Sequence, residues 1–365
     1  MKISGFPGFD AAVAGGGFVR ARIAELTAQV ASGQRGQTFA ALGQDAAVVL
    51  ELRNERARRE GLVTAARQAE AVAEATQTAL SGIHSAVRDV LDRSARLASS
   101  GLPGTDSFSI KAMAATADTA SASLKTIVGL LGERYAGEAL FGGAELDRAP
   151  IVSASAIETT GVFTQIRSQV ESMAPGTGRA VLANTKAIAQ NNDAAVSPFR
   201  GFAREAAAGS QSDARRSVLV GEGVAIPVGM FAYKNAVAVS EGETTGSWSR
   251  DLIWGLSVIA NLKPPSAETR EDYRILVEGA IGALRSASTA LIDDQAGLGV
   301  EQSRLAIAAE RNENLALQLE TQVGKIEATD LSEAITQLTS TKTLLEASYR
   351  AMVTLGDLSL TKFMR

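Results

Sequence analysis

The segment LSEAITQLTSTKTLLEASYRAMVTLGDLSLTKFMR, Leu331 to Arg365, decides the fold. Within it Leu331, Ile335, Leu338, Lys342, Leu345, Tyr349, Met352 and Gly356 follow one another at alternating four- and three-residue steps, the spacing of a coiled-coil seam. Only Lys342 and Gly356 interrupt the apolar row. Leu344, Ala351, Leu355 and Leu358 lie to one side of it, so the apolar surface widens toward the C-terminus and suits more than one partner helix. A continuous helix from Leu331 to Leu360 is about 45 Å long at 1.5 Å per residue. It ends on Leu358, Leu360, Phe363 and Met364, a tail that a monomer rarely leaves uncovered, and the segment is therefore expected to be an assembly surface.

The rest of the composition agrees with a rod. The chain has 365 residues, enough for two or three domains with substantial cores. Its 36 basic and 40 acidic side chains leave a net charge of −4, so no long-range field draws it to nucleic acid, and no nucleic-acid partner is expected. Aromatic residues are 5% of the total and alanine is plentiful, which favours close-packed helices over a thick globular core. There is no cysteine, which removes disulfides, thiolate nucleophiles and zinc–thiolate sites together. Gly15, Gly16 and Gly17 interrupt the N-terminal residues, so no cleaved signal peptide is expected. No run of about 18 apolar residues is free of charge, so stable membrane insertion is not expected either.

Taken in order, Phe18 to Ser32 has apolar residues at Phe18, Val19, Ile23, Leu26 and Val30, an amphipathic helix ended by Gly33. Gln34 to Asp45 reads as a connector. Ala46 to Ser99 reads as one very long helix, with Gly61 and Gly82 as the positions for a kink. Gly101, Pro103 and Gly104 break the pattern, and Ser109 to Tyr135 returns as an antiparallel helix. Pro150 to Gly246 differs from both flanks and contains one β-hairpin, Ser217–Val220 with Val224–Val228, turned at Gly221-Glu222-Gly223. Trp248 to Leu262 is helical up to Pro264-Pro265, and Ser266–Asp294 and Gly299–Ala328 are expected as separate helices divided at Gly297-Leu298-Gly299.

The expected fold is mainly α: a long antiparallel helical coiled-coil bundle built from the N- and C-terminal halves, with a small mixed α/β domain inserted in the middle. Residues 1–45 and 329–365 are expected to be terminal assembly helices, 46–145 and 247–328 the helical rod, and 146–246 the inserted domain. The expected interface comprises Ile23, Leu26, Val30, Leu331, Ile335, Leu338, Leu345, Tyr349, Met352, Leu355, Leu358 and Phe363.

Catalytic readings fare poorly. His84 is the single histidine and lies mid-helix without a second imidazole or thiol to share a metal. Asp293 and Asp294 are neighbours on a helix, so they point about 100° apart and cannot face one substrate; they read as the polar end of a helix before Gly297. Gly221-x-Gly223 lacks the third glycine and following helix of a dinucleotide site. The cluster of Arg53, Glu55, Arg56, Arg58, Arg59 and Glu60 reads as a solvated helix face, with partner-facing polar contacts as the minority reading. No catalytic, cofactor or metal site is expected.

Several stretches resemble the bacterial flagellin family, in its hook-filament junction branch. They are Leu26 to Gly33, Leu42-Gly-Gln-Asp-Ala-Ala47 (with Gly43-Gln44-Asp45 where the family usually has Asp-Asp-Pro), Leu140-Phe141-Gly142-Gly143 after Tyr135, Val218 to Asn235, Ala296 to Arg304, and the tail segments Asp330–Ala334, Leu344–Tyr349 and Leu358–Leu360. The resemblance implies an extracellular structural protein of the flagellum, exported from the cytoplasm by the flagellar type III apparatus with a chaperone. It implies a ring of copies between the first hook-associated protein and flagellin. A flagellin subunit that polymerises into the filament is the alternative within the family. A soluble signalling hairpin and an enzyme of unrecognised type are the alternatives outside it.

Overall fold

The computed structural model describes residues 7–36, 42–99, 107–209 and 215–363; the side chains of residues 7–14, 99, 352 and 355–363 lie outside that description. Nine α-helices are found among the described residues. They are α1 (Pro7–Ser32), α2 (Ala46–Ser99), α3 (Ser107–Leu131), α4 (Gly161–Glu171), α5 (Gly178–Gln190), α6 (Gly201–Ala207), α7 (Trp248–Ala260), α8 (Arg270–Glu327) and α9 (Leu331–Phe363). Four short strands make two hairpins: β1 (Arg134–Tyr135) with β2 (Glu138–Ala139), and β3 (Arg216–Gly221) with β4 (Val224–Val228). The fold is thus mainly α, with long helices and a small β-containing insertion.

The long helices are explained by their buried residues. In α2 these are Ala66, Ala69, Ala73, Thr76, Leu80, Ile83, Val87, Val90, Ser94 and Leu97, an unbroken alternation of three- and four-residue steps. In α8 the row Ala280, Leu284, Ala287, Leu291, Asp294, Leu298, Glu301 and Leu305 has the same spacing. Such a seam keeps one face against a neighbour along the whole length. The glycine cost of about 1 kcal/mol each at Gly61 and Gly82 is overridden, and α2 is one helix.

The expected break at Gly297-Leu298-Gly299 does not occur: α8 is a single helix of 58 residues. Leu298 is a buried seam residue, and Gly297 serves a close approach. A side chain there would put its Cβ 2.8 Å from a Val237 methyl, so the bare backbone lets the 236–238 loop lie on the helix. Asp294, one turn earlier, holds that loop. Its carboxylate accepts from the amides of Ala236 (2.8 Å), Val237 (2.7 Å) and Ala238 (2.8 Å) and from the Trp248 indole (2.8 Å). Asp294 is fully buried, so its reading as the polar end of a helix is corrected. α8 also contains a window long and apolar enough by length and composition to cross a membrane, mean hydropathy 1.4; half of it is buried inside the protein.

The helix after the 99–106 breaker ends at Leu131, four residues short of the expected Tyr135, because the chain turns into β1 and β2. Ala136 and Gly137 both have positive φ (49° and 87°), the twist that a two-residue hairpin demands. Residues 100–106 of the breaker lie outside the described residues. Beyond β2, Phe141 is fully buried, Ala232 N–H donates to its carbonyl (2.8 Å), and Gly143 N–H donates to Met230 (3.0 Å). Gly142 is required here, since a Cβ would meet the Glu145 carbonyl at 2.0 Å.

By contacts the chain divides into two compact units, Met1–Gly61 with Arg311–Arg365, and Leu62–Glu310. In the second, α3 packs on α7 and α4 on α5, around Trp248, Trp254 and Phe141. The β3–β4 hairpin turns Val218, Val220, Ile226 and Val228 inward onto Ala66 and Ala69 of α2 and Leu305 and Ala309 of α8. Alternate residues face inward, as the period of a strand requires, and the alanines let the sheet approach the helices closely.

Asp251 in α7 is buried. Its Oδ1 accepts from Thr245 N–H (2.7 Å), while Oδ2 accepts no hydrogen bond from the protein. Burial pushes its pKa up to about 6, partly offset by the Thr245 bonds. The fold thus favours the neutral acid, and stability falls as pH rises from the ordinary carboxyl range through about 6. Asp251→Asn is expected to stabilise by up to about 3 kcal/mol above pH 7, the advantage fading toward pH 4. Thermal melts of both forms across that range check it; an advantage independent of pH contradicts the assignment.

Candidate assembly interface

The first unit is organised by α1 and α9, which run antiparallel. They are joined where Thr329 N–H donates to Gly33 O (3.0 Å) and Arg35 N–H to Glu327 O (2.8 Å). α1 turns Val19, Ile23, Leu26 and Val30 inward at four-, three- and four-residue steps; Leu26 is fully buried and the others half-buried. α9 turns in Ala334, Leu338, Thr341, Leu345 and Ser348, of which Ala334 is buried and the rest half-buried. Asp330 caps α9, its Oδ1 accepting from the amides of Ser332 (2.9 Å) and Glu333 (3.2 Å).

Polar contacts set the register of the pair. The Arg20 guanidinium lies 5.4 Å from the centre of the Tyr349 ring and donates through Nε to its hydroxyl at 2.7 Å. Arg22 reaches Gln337 Oε1 at 3.3 Å. Lower in the same unit Arg53 pairs with Glu327 (2.5 Å), Arg56 with Glu320 (3.7 Å), and Arg59 donates to Asn312 Oδ1 (3.3 Å). The Arg53–Glu60 cluster is thus a ladder from α2 to α8 rather than only a solvated face. Each exposed rung contributes about 0–1 kcal/mol, so its role is alignment of the helices more than stability. The partners Glu327, Glu320 and Asn312 lie seven and eight residues apart on α8 against three on α2, so no matching spacing marked the ladder in the sequence.

The seam expected from the sequence divides in two. Leu338 and Leu345 face α1, but Leu331 and Ile335 are 47% and 49% exposed, and Tyr349 is 37% exposed. Val353 and Leu344 are 65% and 60% exposed, and Phe18 on α1 is 83% exposed. On the helix surface Leu331, Ile335, Tyr349 and Val353 lie about 60–100° round from the row facing α1. Leu331, Ile335 and Val353 thus make a second apolar stripe turned away from α1, and Tyr349 at its edge is the one held by Arg20. Met352, Leu355, Leu358 and Phe363 are on the same helix, and their side chains lie outside the description.

Leu26 anchors the pair. Leu26→Ala is expected to cost about 2–5 kcal/mol of α1–α9 pairing. Hydrogen exchange should then speed up in α1 and α9 and stay unchanged in α7; equal exchange in α1 would contradict the pairing.

Among the described residues no group of three or more His, Asp or Glu side chains is placed to hold a metal. His84 Nδ1 lies 3.4 Å from the Ser288 hydroxyl, between helices.

The terminal helices thus form an antiparallel pair that leaves a second apolar stripe of α9 exposed. Residues 281–364 match the bacterial flagellin C-terminal helical region, which takes in all but the first 11 residues of α8 and all of α9. The fold is similar to that of a Vibrio parahaemolyticus protein described as a flagellar hook-associated protein. The two are 11% identical with a TM-score of 0.51, over 78% of this chain and 97% of that one. Comparison with curated protein sequences gives no match. The family match covers 84 of the 365 residues, and the structural likeness is one of fold.

Proposed function

We propose that this chain joins the flagellar hook, through the first hook-associated protein, to the flagellin filament. In this reading residues 1–45 and 329–365 are the assembly helices, and copies of the chain form a ring. Each copy leaves the cytoplasm through the flagellar export apparatus, escorted by a chaperone. The observation that carries the reading is the exposed apolar stripe of Leu331, Ile335 and Val353 on a helix whose other face is already taken by α1. Burying one large side chain contributes roughly 1.5–3 kcal/mol, so several stripe residues engaged at once are needed to offset the freedom lost on association. Assembly is then cooperative.

The junction role within the family is supported by the Leu140-Phe141-Gly142-Gly143 turn locked to Met230–Ala232. Electron microscopy of motile cells lacking the gene tests it. Hooks without filaments, with flagellin shed into the medium, are expected; attached filaments would refute the junction role. The match at residues 281–364 also favours a second reading, a flagellin subunit of the filament. Filaments grown from the purified chain alone would select that reading.

A further inference from the structure

The face of α8 turned away from the core carries an apolar stripe of its own. At about 100° per residue, Ile292, Ala296, Gly299, Val300, Ser303 and Ile307 fall within about 50° of one line, which runs opposite the buried row Leu291, Asp294, Leu298, Glu301 and Leu305. Ile292 is 48% exposed, Val300 53% and Ile307 63%. Read outward from the midpoint between Gly299 and Val300, the stripe is a palindrome. Ala296 and Ser303 stand at equal distances from that midpoint, and so do Ile292 and Ile307. Its centre is narrow and its ends are broad. A glycine weakens a helix, and nothing inside the chain needs one at position 299, where a Cβ would meet no atom within 4 Å. Asp293 and Arg304 are both exposed and lie beside the stripe on the same flank. Neither closes an ion pair among the described residues; Arg304 bears on the buried Glu301 of its own helix.

Such a face is complementary to itself. A two-fold axis through the midpoint, perpendicular to the plane of the two helices, lays a second copy of α8 antiparallel along the first. Ile292 then meets Ile307 of the second copy, Ala296 meets Ser303, and Gly299 makes room for Val300. The same axis keeps each flank on its own side, so Asp293 of one copy faces Arg304 of the other. The two are offset by two residues, about 3 Å along the helix, which an arginine side chain spans. We propose that two copies of this chain associate in solution through the outer faces of their α8 helices, antiparallel, with Asp293 of each copy paired to Arg304 of the other. Contacts that repeat around a ring are head-to-tail, whereas this one closes on itself after two copies, so the pair is a separate state from the ring. The stripe lies wholly within the Leu62–Glu310 unit and does not involve α9.

The test is sedimentation equilibrium of the full-length chain from about 1 µM to about 0.5 mM, the range in which a small interface dissociates. The chain carries Ile335→Asp and Val353→Asp throughout, so the result does not depend on how α9 assembles. The mass is expected to rise from one chain toward two and to stop there. Asp293→Arg and Arg304→Asp, each alone, set like charges across the contact and should weaken association at least about tenfold. An equimolar mixture of those two variants restores opposite charges at both pairs and should dimerise as tightly as the chain without them. A mass of one chain at every concentration, a dimer indifferent to both reversals, or a mixture no tighter than its components overturns the proposal. Both side chains are exposed, so the variants are expected to fold, and the mixture requires only that each does.

Discussion

Ile335→Asp combined with Val353→Asp is expected to abolish incorporation into the flagellum while leaving the isolated chain as stable as before. Both side chains are about half or more exposed, and surface changes of this kind cost about 0.5 kcal/mol or less. In an assembly that covers the stripe, each carboxylate would be buried without a partner, at several kcal/mol per copy. The penalty recurs at every subunit contact. The matching pair Ile335→Ala and Val353→Ala removes apolar area without adding charge and should weaken assembly rather than eliminate it. Motility and filament attachment in complemented cells, with melting of the purified variants, provide the readouts. Normal attachment by the double aspartate variant would mean that another surface assembles.

Asp294→Ala is expected to be among the most damaging single changes in the Leu62–Glu310 unit, costing at least about 4 kcal/mol. It strands three backbone amides and the Trp248 indole N–H together, and a buried donor left unpaired costs about 1–3 kcal/mol. Asp294→Asn keeps one acceptor but turns a donor toward other donors, so about half the loss should remain. Denaturant unfolding measures both, with the near-ultraviolet signal of Trp248 as a local reporter. If Asp294→Ala melts like the parent chain, the loop is held by something else.

What could be read from the sequence followed how local each signal was. The bounds of α2, Ala46 and Ser99, are those expected, because its heptads are long and its breakers clear. The hairpin came within one residue at each end of its first strand, since alternating valines flank a turn where Gly223 adopts positive φ (69°). The break inside α8 was misplaced because two glycines were weighed locally, whereas Leu298, Asp294 and the Val237 contact act through the tertiary fold. Asp294 itself looked like a helix end because its four donors lie 46 to 58 residues away in sequence. The terminal seam was legible as a heptad, but which of its residues face α1 was not. Leu338 and Leu345 turn inward and Leu331 and Ile335 outward because α9 offers two adjacent apolar stripes and α1 can fill only one.

The most direct test of the central claim uses the absence of cysteine from the chain. A single Ile335→Cys variant, conservative in size at an exposed site, is treated with a maleimide in the purified free state and again within isolated hook-filament structures. A Val239→Cys variant on the exposed loop of the other unit serves as the reference. The account predicts rapid labelling at position 335 in the free chain and strong protection in the flagellum. Equal labelling of position 335 in both states would show that the α9 stripe stays in solvent and is not the assembly surface.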